Sequence, residues 1–110
     1  DGYGDYVRHY LRAMAAAPQL APDNEDHLLR TSSIVKKIEY KPESIRYTTF
    51  DNTSREVFRL TSKPSSIIVN GDDLDEVADA STQGWTWQAL ATGGILRIKQ
   101  SAGNSIEIKK

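Results

Sequence analysis

The stretch "QGWTWQAL" carries the two tryptophans of this 110-residue chain, Trp85 and Trp87, one residue apart. In a strand, residues i and i+2 share a face, so the two indoles lie side by side and Thr86 points the other way. Two uses fit that geometry. An exposed pair, extended by Tyr47 or Tyr40, is a flat platform on which the C–H face of a sugar ring stacks while nearby Asp, Asn and Gln bond its hydroxyls. A buried pair is a core element that packs on Phe58, Leu60 and Leu96, and its indole N–H groups then need partners inside the fold. A division of labour, one indole buried and one exposed, is the third reading. Large aromatics are mostly interior, which favours a core role for at least one. Trp85, Trp87 and Tyr47 are the candidate ligand-binding residues.

Other residue types offer less. His9 and His27 are the two histidines, far apart and without a carboxylate at metal-helix spacing, so neither zinc ligation nor general-base catalysis is indicated. The acidic runs "DNED" (23–26) and "NGDDLDE" (70–76) gather oxygen ligands but lack the full calcium-loop pattern, and read as solvated turns. No serine sits in a G-x-S-x-G elbow. "DGYGDY" (1–6) is not a phosphate-binding glycine loop, because no strand precedes it. No pair of carboxylates stands out as a glycosidase pair, which would have to flank a cleft. "NTS" (52–54) matches the N-glycosylation pattern, which has meaning only in a eukaryotic secreted protein. No catalytic residue, metal site or cofactor is expected.

The elements that would position these residues emerge from periodicity. Tyr3, Tyr6, Val7, Tyr10, Leu11 and Met14 form a helical stripe that Pro18 ends. Residues 18–33 hold two of the four prolines and an acidic cluster and read as a linker. From residue 34 the period changes to two, with strands expected at 34–40, 45–50, 55–61, 66–71, 85–90, 95–99 and 105–109. Asn70-Gly71 is the strongest hairpin signal, since both residues tolerate positive φ. The last two strands read as a hairpin in which Arg97 and Lys99 face Glu107. The expected fold is mainly β: an antiparallel β-sandwich of about seven strands over 34–110, preceded by an N-terminal amphipathic helix and linker over 1–33.

Composition bounds the partners. A chain of this length buries roughly 65% of its unfolded surface in one core. It has no cysteine, which removes disulfides and thiolate metal sites. Net charge is −1 with acids and bases interspersed, which argues against nucleic-acid and anionic-membrane partners, since both call for a basic stripe. No apolar run approaches the roughly 20 residues of a membrane span. The start at Asp1 without a leader pattern reads as a piece of something longer.

The segment "KPSSIIVNGDDL … GWTWQALATGGILRIKQSAGNSIEI" (63–108) resembles the C-terminal β-sandwich modules attached to bacterial glycoside hydrolases. Those modules often read V-x-V-N-G-x-x-L, then G-W-x-W/Y, then G-x-L-x-I and a closing G-x-x-x-x-I; the matching positions here are Ile67–Leu74, Gly84–Trp87, Gly94–Ile98 and Gly103–Ile108. "GDYVRHYLRAMAAAPQLAP" looks like a final helix and linker leading out of a catalytic domain. The resemblance implies a non-catalytic accessory domain of a carbohydrate-active protein, extracellular or periplasmic. Its expected partner is an adjacent catalytic domain or another protein. A carbohydrate-binding module using Trp85 and Trp87, or an interaction and assembly domain, are the alternatives.

Overall fold

The computed structural model describes residues 25–110. The helix expected at 3–17, His9 and most of the linker lie outside the described residues. The described chain is mainly β, two antiparallel sheets facing one another. Nine strands build them: β1 (His27–Thr31), β2 (Val35–Tyr40), β3 (Ser44–Thr49), β4 (Ser54–Leu60), β5 (Ser66–Val69), β6 (Asp72–Leu74), β7 (Gly84–Ala89), β8 (Gly94–Gln100) and β9 (Ser105–Lys109). One sheet has the order β1-β4-β8-β7 and the other β2-β3-β9-β5-β6. No helix occurs among the described residues.

The alternation read from the sequence sets the inner faces. Phe58 and Leu60 of β4, Leu96 and Ile98 of β8, Ile45 and Tyr47 of β3, Ile67 and Val69 of β5, and Ile106 and Ile108 of β9 are buried in one contiguous core. Strand residues of period two bury every second side chain, and opposing a second such sheet removes both apolar faces from water. Tyr47 and Phe58 meet across the sheets with ring centroids 5.4 Å apart and planes tilted by 48°.

Three expectations need correcting. The strand count is nine rather than seven. β1 lies in the stretch that composition reads as a linker. It pairs with β4, but its register shifts between Leu28 and Arg30. That bulge leaves Leu28 and Leu29 both buried, which erases the alternation a strand search relies on. β6 is the return arm of the Asn70-Gly71 hairpin: Asn70 has φ 49°, Gly71 φ 89°, and Ile67 pairs with Leu74. Only three residues long and mostly acidic, it carries almost no hydrophobic pattern of its own.

The third correction concerns the chain end. β8 and β9 do not form a hairpin, because they belong to different sheets. The chain arches between them around Gln100, whose side-chain oxygen accepts from the amides of Ala102 (2.8 Å) and Gly103 (3.1 Å) and whose amide donates to the Gly103 carbonyl (2.7 Å). Gly103 has no room for a Cβ beside the Asn70 side chain. Glu107 therefore meets Arg46 of β3 at 2.8 Å, not Arg97 or Lys99.

Candidate functional site

The two tryptophans sit on β7, where Trp85 pairs with Ile98 and Trp87 with Leu96. Both partners point inward, so both indoles do too. Trp85 is 4% exposed and its Nε1–H donates to the Leu74 carbonyl at 3.0 Å. Gly84 makes this approach possible. Its φ is 142°, and a Cβ there would lie 2.5 Å from the Asp75 carbonyl. The 75–77 segment thereby lies flush on β7, with the Trp85 amide bonded to Asp75 and the Val77 amide to the Trp85 carbonyl. Trp87 is only partly buried and packs against the edge of the core. Tyr47 is 2% exposed, deep between the sheets. Among the three ligand-binding candidates, then, Trp87 alone keeps appreciable exposed surface.

Tyr47 leads to the one buried carboxylate of the core. Its hydroxyl donates to Glu56 at 2.7 Å across the sheets; Ser54 donates to the same oxygen at 3.0 Å and Thr31 to the other at 2.9 Å. Ser54 in turn accepts from the Gln100 side chain at 3.0 Å. Burial pushes the Glu56 carboxyl up from its ordinary value, opposed by the hydrogen bonds from Tyr47, Thr31 and Ser54. Burial, reinforced by the charge and hydrogen bond of Glu56, pushes the Tyr47 hydroxyl well above its ordinary range. A carboxylate reached by three hydroxyls and closed to solvent has the chemistry of a tie between sheets, drawing together β1, β3 and β4. Sequence reading passed Glu56 over, although its position two residues before Phe58 in "REVFRLT" puts it in the inward phase.

The outward face of the four-stranded sheet is a second feature. Arg55, Val57 and Arg59 alternate with the inward residues of β4, and Arg97 and Lys99 with those of β8. In register, Arg55 faces Lys99, and Val57 lies between Arg30 and Arg97. Apart from the inward Glu56, strands β1, β4, β7 and β8 contain no acidic residue. Arg59 is 3% exposed and is held by main-chain carbonyls, donating to Leu60 (2.9 Å), Gly94 (3.2 Å) and Thr92 (2.5 Å). It clamps the β7–β8 turn. Its Nε and the Nε2 of His27, on the same rung, are buried without a hydrogen-bond partner among the described residues.

A third feature is apolar. Among the described residues the exposed large hydrophobics are Ile34, Tyr40 and Phe50, at 56%, 48% and 66%. Ile34 and Tyr40 lie at the two ends of β2, an edge strand of the five-stranded sheet, and Phe50 directly follows its neighbour β3. Phe50 and Ile34 are joined by a main-chain hydrogen bond of 2.8 Å, and Lys36 lies 5.8 Å over the Phe50 ring. No group of His, Cys, Asp and Glu suited to a metal ion occurs among the described residues. No family model, curated protein or solved structure matches the chain.

Proposed function

We propose that this chain is a non-catalytic accessory β-sandwich module of a carbohydrate-active protein, which packs on and stabilises a neighbouring domain. The observation that carries the reading is the exposure of Ile34 and Tyr40 at the ends of the edge strand β2, with Phe50 bonded to Ile34 from the end of β3. An edge strand presents unpaired main-chain groups, and large apolar side chains beside them make a surface suited to being covered. A domain joined in the same polypeptide supplies that cover at high effective concentration. The glycoside hydrolase context rests on the motif resemblance over 63–108. Burial of Trp85 and Tyr47 supports a structural use of the aromatics over a stacking platform.

The test compares the parent protein with a version lacking 25–110, and with the double variant Ile34→Ser, Phe50→Ser. The neighbouring domain is expected to melt at lower temperature in both. An unchanged melting temperature and turnover of that domain in both forms would sink the reading. A carbohydrate-binding role through Trp87 predicts instead that a neutral glycan retards the wild-type chain and not Trp87→Ala in affinity electrophoresis.

A further inference from the structure

We propose that one end of the outward face of the β1-β4-β8-β7 sheet, the end with the Arg55–Lys99 and Arg30–Val57–Arg97 rungs, is a binding surface for an acidic polysaccharide, one whose rings carry carboxylates. This goes beyond the accessory role and lies on the other sheet from Ile34 and Phe50.

The charge distribution is the first observation. The chain is nearly neutral, yet its two sheets are not alike. In the five-stranded sheet β2 and β9 carry both bases and acids, β3 carries Arg46, β6 is acidic and β5 is uncharged, and the ion pairs close locally: Lys37 with Glu39 at 2.9 Å and Arg46 with Glu107 at 2.8 Å. The outward face of the other sheet presents Arg30, Arg55, Arg97 and Lys99 on two adjacent rungs with no acid among them. None of the four is within 4.0 Å of a carboxylate among the described residues. Rungs of one face repeat at roughly 7 Å along a strand, and strands at about 4.8 Å across it, so these cations crowd a small area. Like charges held that close repel one another unless an anion joins them.

A depression is the second observation. At the Arg55–Lys99 rung the surface opens into a hollow of about 230 Å³ lined by Ser32, Thr53, Gln83 and Ser101 beside the two cations. Ser101 donates to Gln83 at 2.7 Å, and Lys99 donates to the Ser81 carbonyl at 2.6 Å. Lys99 acts on the Asp79 carboxyl by charge alone, without an ion pair among the described residues. That carboxyl is held below the ordinary range chiefly by Ser81, with Lys99 a lesser cause. The Arg55 guanidinium makes no side-chain hydrogen bond among the described residues, which leaves its planar donor fork for a carboxylate.

The lining chooses among anions. Hydroxyl and amide side chains next to guanidinium match a ring that carries both hydroxyls and a carboxylate. A single-stranded nucleic acid needs aromatic faces for its bases, and Trp85 and Trp87 point to the other side of the sheet. An acidic peptide needs apolar anchor pockets, and the hollow is lined by polar residue types.

Affinity electrophoresis and calorimetry on the 110-residue chain test this with polygalacturonate, its fully methyl-esterified form, poly-glutamate and single-stranded DNA as probes. Polygalacturonate is expected to bind, more weakly as salt rises, and the esterified polymer not to. Arg55→Gln and Lys99→Gln should each weaken binding about five- to tenfold with an unchanged melting temperature. Arg46→Gln, on the other sheet, should leave it unaltered. The inference is overturned if polygalacturonate does not bind, if the esterified form binds equally, if Arg46→Gln weakens binding as much, or if poly-glutamate or DNA binds as tightly.

Discussion

At the scale of single residues, the core depends on polar atoms that are buried and satisfied together. Tyr47→Phe keeps the ring against Phe58 and removes one of three donors to Glu56. It should cost about 1–3 kcal/mol in denaturant unfolding with an unchanged m-value. Glu56 adds a pH signature. Its carboxyl is raised above 4.5 in the fold, so between that value and the folded pKa the native state holds a proton that the unfolded chain has lost. Stability contributed at this site therefore falls as pH rises through that window and is flat below it. Denaturant titrations of wild type and Glu56→Gln, from below pH 4.5 to neutrality, should show a stability difference that shifts in the variant's favour with rising pH; a pH-independent difference would refute the linkage. Trp85→Ala removes a buried indole and leaves the Leu74 carbonyl without its donor, for about 3–5 kcal/mol. Trp87→Ala, at the margin of the core, should cost less.

At the scale of elements, glycines decide where the strands turn, and not for the same reason. Gly71 has φ 89° and open space around it, so Gly71→Ala meets backbone strain alone, about 1 kcal/mol. Gly84 has φ 142° and a wall of main chain at Asp75, so Gly84→Ala should cost at least about 2 kcal/mol and also loosen the 75–77 segment. Chemical denaturation ranks the two, and hydrogen exchange at the Trp85 and Val77 amides reports the loosening. The strands that sequence patterning missed were those with the weakest pattern. A bulge in β1 broke the alternation, and β6 is short and acidic. The Asn70-Gly71 signal did announce a hairpin, and a hairpin requires a return strand, so β6 was implied by its turn even though its side chains are silent.

At the scale of the whole molecule, the arrangement of strands between sheets sorts the charges. Arg55 and Lys99 are 44 positions apart in sequence and become neighbours only because β4 pairs with β8. Along the chain each lies near residues of the opposite sign or on the alternate phase of a core strand, which is why the sequence looks interspersed. The arch at Gln100 has the same effect in reverse. It carries Glu107 away from Arg97 and Lys99 and delivers it to Arg46, so one sheet is internally neutralised and the other stays cationic. Replacing Gln100 by Leu would leave the Ala102 and Gly103 amides without their acceptor, and should cost about 2–4 kcal/mol in chemical denaturation.

The sequence by itself determined the class of fold, the inward phase of most strands and the Asn70-Gly71 turn. These are local properties: a period of two, and residues that accept positive φ. It also put Trp85 and Trp87 on one face, which alternation alone requires. Which face that was, which strands share a sheet, and which charges stand together were decided by tertiary structure. Each depends on pairing between segments tens of residues apart, and no local pattern encodes the partner.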